Sequence, residues 1–285
     1  IDGATFRNGY VYGGYSVNGS ATGNEVEITN RTDCGYVYGG YSLATDSETV
    51  AQGNKVTVSG EGTNLSAVYG GYTDSSSAIE NEVIINGGSI TYMVTGGFGR
   101  IEANNNKVTI NGGSVKYVEG GNGNGGSATG NSVIINGGTI GEKVDGVLYG
   151  GIEGGFGPID SATSNTVTIN DGNIIANVIG GLGYKKASEN IVSINGGCIS
   201  GDVYGGRANE EEGASNNTVN WKAGEIQGNV YGSISYGEGI YKPVENNGGT
   251  LNIYHSSGST SKTISEGKSI AGFDKMNFYL SGDVK

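Results

Sequence analysis

Asn190–Arg207 reads NIVSINGGCISGDVYGGR, and this stretch decides the fold. Asn190, Val192 and Ile194 alternate with Ile191 and Ser193, which is the two-residue period of a β-strand with one face buried. A Gly-Gly turn follows, then Ile199, a glycine corner, and Val-Tyr-Gly-Gly. The same unit recurs along the chain. Its Asn-led strands begin at Asn24, Asn54, Asn81, Asn106, Asn131, Asn165, Asn190 and Asn217. The second Gly-Gly begins at Gly13, Gly39, Gly70, Gly96, Gly120, Gly150, Gly180 and Gly205, with a weakened Gly232-Ser233. These pairs lie 24 to 31 residues apart.

A period of about 27 residues is too short for a propeller blade or a helical repeat. Short β-branched strands joined by glycine corners, one rung per repeat, predict an all-β fold: a single-domain parallel β-helix, or β-solenoid. The expected form is right-handed and three-faced, with about nine coils and roughly 43 Å of stacked length at the strand spacing. Residues 1–247 read as the repeats. Residues 248–285 read as a degenerate last rung followed by a cap or by the start of continuing chain, with Met276, Phe278 and Leu280 on one face of a final strand.

Composition agrees. There are 57 Gly and 2 Pro in 285 residues. The glycines have no three-residue period, so they punctuate strands instead of forming collagen. The net charge is −12 and basic residues are scattered, which argues against a nucleic-acid partner. No run of about 18 apolar residues could cross a membrane as a helix. No secretory leader is legible, and a chain starting at Ile1 reads as a processed protein or an excised segment. Cys34 and Cys198 fall several rungs apart, too far for a disulfide, so both are expected as free thiols, Cys198 at an outward or turn position.

Within each rung the Asn shares parity with Val and Ile, so stacked copies are expected to form an inward amide ladder. The residue after the Asn runs Glu25, Lys55, Glu82, Lys107, an alternation that favours in-register pairing. Neither outward line of these strands puts carboxylates on neighbouring rungs. The Val-Tyr-Gly-Gly strand predicts a column of Tyr12, Tyr38, Tyr69, Tyr149, Tyr204 and Tyr231, interrupted by Thr95, Glu119 and Ile179. Tyr15, Tyr41, Tyr72 and Phe98 follow the first four Gly pairs. Tyr12, Tyr15, Tyr38, Tyr41, Tyr69, Tyr72 and Phe98, together with Arg207, form the candidate binding surface, a stacking ladder that doubles as a platform for sugar rings or a partner protein. Longer segments at Tyr41–Gln52, Ile152–Ser164, Arg207–Asn216 and Ser233–Asn246 are expected to project from one edge.

Chemistry-bearing patterns are sparse. His255 is the only histidine and has no companion ligands in its repeat, so no zinc set is expected. GGFGR, GGNGN, GGFGPID and GGLGY resemble calcium β-roll repeats but lack the Asp at the required place. An isolated ion in a loop through Asp46, Asp74 or Asp160 is the remaining metal option. No catalytic residue, cofactor or repeated metal site is assigned.

The units Thr129–Ile140 (TGNSVIINGGTI), Ser188–Arg207 (SENIVSINGGCISGDVYGGR), Ala21–Asn30 (ATGNEVEITN) and Tyr36–Ser42 (YVYGGYS) resemble the repeats of bacterial autotransporter passenger and adhesin-type proteins. The ending IAGFDKMNFYL is similar to the I-x-x-F-D-x-x-x-F strands of such passengers. The resemblance spans roughly residues 10–280. It implies a secreted or surface-displayed bacterial β-helix without shared catalytic residues, whose partner is a host surface protein, a glycan or another copy of itself. A β-helix polysaccharide lyase or hydrolase is the alternative from the enzyme class. A phage or injection-system spike, which would be an intertwined trimer, is the third.

Overall fold

A computed structural model describes residues 1–30, 32–256, 262 and 266–281. Among these every regular element is a strand, and the chain winds into three parallel sheets that form the faces of one solenoid. One face is a ladder of ten short strands running from Glu25–Ile28 to Lys275–Ser281. Eight of these open with the Asn-led pattern. Thr250–Ser256 and Lys275–Ser281 extend the ladder beyond them, so this face has one rung more than nine coils would give. Of the segment after residue 247, positions 257–261, 263–265 and 282–285 lie outside the described residues.

The second face is the long sheet, which carries Tyr36–Ser42 and its counterparts. The third is a ladder of eight two- or three-residue strands from Ala21–Thr22 to Ala214–Ser215. Sequence reading treated this third face as variable loop. Its signature is a column of small residues: Ala21, Ala51, Ala78, Ala103, Ala128, Ala162, Ala187 and Ala214, paired in register and buried.

The core is one continuous column of Val and Ile contributed by the ten-stranded ladder and the long sheet, with Trp221 replacing Ile in one rung. Each such side chain contributes about 1.5–3 kcal/mol through burial. Each rung gains that only by covering its neighbours, so stability is a sum of adjacent-rung terms.

The Asn residues form the expected inward ladder. Each Nδ2 from Asn24 to Asn190 donates to Oδ1 of the next Asn, at 2.7–3.1 Å. From Asn54 onward Nδ2 also donates to the alanine carbonyl of the rung before, as Asn131 does to Ala103 O at 2.8 Å. The Gly pair exists to admit this ladder. A Cβ at Gly121 would lie 2.4 Å from Asn131 Oδ1, and one at Gly120 would lie 2.2 Å from Gly154 O. The weakened pair supports this reading. Ser233 stands in register with Gly206, and in that rung Gly249 takes the place of the Asn. With no Asn to accommodate, a side chain is tolerated there. Ser233 Oγ then accepts from Asn217 Nδ2 at 3.0 Å and ends the ladder.

The residue before each ladder Asn is left-handed, with φ between 54° and 67° from Gly23 to Asn216. Three of the eight are glycine; Glu80, Ser164 and Glu189 hold the same conformation at a steric cost.

Two sequence assignments need correction. Tyr149 is not in the tyrosine column, and Gly150 does not begin a rung pair. Thr139–Val144 starts in the rung, with Ile140 in the core, and its end, Glu142–Val144, forms an antiparallel hairpin with Val147–Tyr149 that is inserted into that repeat. The rung resumes at Ile152, which pairs with Val118, so Glu153 and Gly154-Gly155 take the places assigned to Tyr149 and Gly150-Gly151. The insertion therefore leaves at a different corner from the loop expected at Ile152–Ser164. Both YGG and IEGG offer a Gly pair; Ile152 decides between them, because it is fully buried in the core column.

The outward charge line pairs as expected. Lys55 and Lys107 reach Glu82 at 3.6 and 3.2 Å. Cys34 and Cys198 are free thiols, Cys34 buried and Cys198 partly exposed.

Candidate functional site

On the outside of the long sheet the Gly pairs bend each strand, and the residues before and after the pair flank that bend. Stacked through nine rungs they make a seam with two walls. The first wall, in register, is Tyr12, Tyr38, Tyr69, Thr95, Glu119, Glu153, Ile179, Tyr204 and Tyr231. The second is Tyr15, Tyr41, Tyr72, Phe98, Asn122, Phe156, Leu182, Arg207 and Ile234.

The first four rungs are aromatic. Rings stack within each wall, at 5.2 Å for Tyr12–Tyr38 and Tyr38–Tyr69 and at 4.6 Å for Tyr72–Phe98. The walls meet edge to face, as Tyr38 and Tyr41 do at 4.9 Å and 88°. Stacked and edge-to-face contacts are the favoured aromatic geometries. A third column, Tyr10 and Tyr36, stacks beside them at 5.4 Å and was missed in the sequence. Its signal was present: Tyr10 and Tyr36 share strand parity with Tyr12 and Tyr38.

Packing divides the candidate surface. Tyr38 and Tyr69 are only 6% and 7% exposed, Tyr41, Tyr72 and Phe98 are half-buried, and Tyr12 and Tyr15 are open at 38% and 51%. Asp74 accepts from Tyr72 Oη at 2.9 Å and from Tyr41 Oη at 3.3 Å. Burial, then the Asp74 charge, pushes the Tyr41 hydroxyl up to about 12. Burial likewise raises Tyr38 and Tyr69, so the hydroxyls stay protonated donors. Arg207 lies far along the seam from this cluster. Its guanidinium packs 4.0 Å over the Tyr241 ring, and Tyr241 Oη donates to Asn209 at 2.6 Å.

Between the aromatic rungs and Arg207 the seam holds what sequence reading passed over: Glu119 and Glu153, carboxylates on neighbouring rungs. The signal was V-E-G-G at Val118–Gly121 repeated as I-E-G-G at Ile152–Gly155; treating Glu119 as an interruption and Tyr149 as the next rung hid it. Glu119 Oε2 accepts from Asn122 Nδ2 at 3.0 Å and from Thr95 Oγ1 at 3.3 Å. Burial raises the Glu119 carboxyl, and those two hydrogen bonds oppose the rise. Glu153 has neither bond. Burial first, then the charge of Glu119, pushes it up to about 8, against a smaller downward pull from Arg207. Both residues keep some exposed surface, yet Glu153 Oε2 is buried without a hydrogen-bond partner, as are Asn122 Oδ1 and Arg207 Nε.

The loop aspartates considered for an ion have protein partners. Asp46 accepts from Glu48 N, Asp74 holds the two tyrosines, and Asp160 faces Lys185 at 3.6 Å. Clefts of about 590 Å³ and 340 Å³ lie elsewhere, between Arg207–Asn216 and the chain around Val244. No helix among the described residues is long and apolar enough to cross a membrane. Comparison with family models, with curated proteins and with solved structures finds no match.

Proposed function

We propose that the chain is a non-enzymatic, adhesin-like β-solenoid of the bacterial cell surface or secreted space, which binds a host surface protein, a glycan or another copy of itself. The observation that supports this reading best is the aromatic seam. Nine adjacent rings, from Tyr10 to Phe98, line the outside of the long sheet in a cluster separate from the Val and Ile column. Stacked rings with hydroxyl donors at their edges suit the apolar face and the hydroxyls of a sugar, or an amphipathic protein patch.

The test is an array of glycans and host-matrix proteins probed with the soluble chain, alongside a Tyr12→Ser/Tyr15→Ser variant, which alters the two open rings. Specific binding weakened by that variant supports the reading. Absence of any binding or self-association overturns it. Binding untouched by the variant but lost on shortening Arg207–Asn216 moves the site to the loops.

The stacked Glu119 and Glu153 favour one second reading, a polysaccharide-degrading enzyme, since paired carboxylates do general acid–base work on glycosidic bonds. Release of reducing sugar in the same wells, abolished by Glu153→Gln, would replace the first reading with this one.

A further inference from the structure

Glu119 and Glu153 are the only point in the seam where like charges stack, and their surroundings are short of donors. Two neighbouring acceptors, Glu153 Oε2 and Asn122 Oδ1, are buried with no protein partner. Asn122 is only 6% exposed, and its Nδ2 is already given to Glu119 Oε2, which holds the amide beside that carboxylate. A buried acceptor without a donor has lost its water and gained nothing in return. The unmet demand is therefore for a donor or a cation.

No protein cation pairs with them. Arg207, two rungs further on, exerts only the smaller pull on Glu153; its guanidinium packs over the Tyr241 ring, its Nε is unpaired, and among the described residues neither glutamate forms an ion pair. We propose that Glu119, Glu153 and Asn122 hold one hard divalent cation of the calcium class between two neighbouring rungs.

The chemistry and size agree. Two carboxylates and an amide oxygen form an all-oxygen donor set, which suits hard cations better than zinc or copper. Parallel rungs lie about 4.8 Å apart. Oxygens from two such rungs can straddle one ion at the roughly 2.3–2.6 Å that calcium takes, and the flexible calcium shell tolerates ligands from one side plus water. Magnesium demands a tighter octahedron and is expected to bind more weakly. The remaining exposure of both glutamates gives an ion its path from solvent. This site is independent of the aromatic seam's proposed partner.

Calorimetric titration of chelator-treated protein with calcium chloride, and separately with magnesium chloride, tests it. One calcium per chain is expected, with magnesium at least about tenfold weaker. Urea denaturation should show a higher midpoint in millimolar calcium than in chelator. Glu153→Gln should lower calcium affinity by about tenfold or more, whereas Glu189→Gln, on an exposed corner, should leave it unchanged. Asn122→Asp adds a charged ligand and should tighten calcium while lowering the midpoint without it, so the proposal stands or falls even if Glu153→Gln does not fold. Absence of heat and of any midpoint shift in the folded wild-type chain overturns the proposal. So does undiminished calcium binding in Glu153→Gln, or weakened binding in Asn122→Asp.

Discussion

The two sides of the Gly-Gly bend follow opposite rules. Inside it, Asn24 to Asn217 repeat without exception; each amide donates to the next rung, and from Asn54 onward also to an alanine carbonyl. Outside it, the same nine rungs carry Tyr, Thr, Glu, Ile, Phe, Asn, Leu and Arg, with three buried polar atoms left unpaired. The backbone is common to both sides, so the contrast is one of neighbours. A buried amide has a single arrangement that satisfies it and must be repeated in every rung. An outward side chain needs only a compatible rung above and below, so it is free to vary. In a solenoid, variation on such a face is where function accumulates.

The comparison breaks most visibly at the inner side. Asn131→Ala would take the side-chain partner from Asn106 N and from the Ala103 carbonyl and one of two acceptors from Asn106 Nδ2, and should cost about 3–5 kcal/mol in urea denaturation. Gly121→Ser, whose Cβ would strike Asn131, should cost a similar amount. The double variant Gly121→Ser/Asn131→Gly copies the native Ser233/Gly249 rung, and should recover about 1–3 kcal/mol relative to additivity. Strict additivity would show that the Gly pair serves something other than the amide.

The outer side predicts a pH effect. An ordinary glutamate titrates near 4.5, and the fold raises Glu153 to about 8. Below 4.5 both folded and unfolded chains are protonated and stability is full. Between 4.5 and 8 only the unfolded chain gives up the proton, so stability falls as pH rises through this window and levels off above 8. For the metal-free protein the fall should be on the order of 2 kcal/mol, allowing for the partial exposure of Glu153. Glu153→Gln should flatten it; an unchanged profile in that variant would sink the assignment.

Smaller effects sharpen the contrast. Glu80→Gly relieves a left-handed residue at φ 56°, a gain partly offset by the freer unfolded chain, and should stabilise by about 0.5 kcal/mol. A second asparagine ladder runs along the exposed turns, Asn86, Asn111, Asn136, Asn170 and Asn195, with bonds of 2.7–2.8 Å. Geometry there matches the inner ladder, but water replaces any lost partner. Asn136→Ala should therefore change stability by less than about 0.5 kcal/mol. A loss as large as that of Asn131→Ala would show that geometry, not burial, sets the strength of these ladders.

Most of the scaffold was legible in the sequence. Period-two alternation in NxVxI and the Gly pairs gave the rungs, the inward Asn and the stacked tyrosines, because those features repeat and a repeat exposes its own register. The third face escaped notice since each strand is two or three residues long and marked by a lone alanine, too short for a period to show. The candidate site was half visible. Tyr12 to Phe98 were found, but the open and buried members of that set could not be told apart, since exposure depends on the rung above.

A β-solenoid of Asn-led rungs with free cysteines and an aromatic outer column follows from residue order alone, because each feature rests on local chemistry repeated at a fixed spacing. The stacking of Glu153 on Glu119 emerges only once the rungs are packed. That pairing depends on a hairpin at Glu142–Tyr149 being inserted ahead of Ile152, which then enters the core. Two frames fit the local pattern equally well, and burial of one isoleucine among its stacked neighbours chose between them.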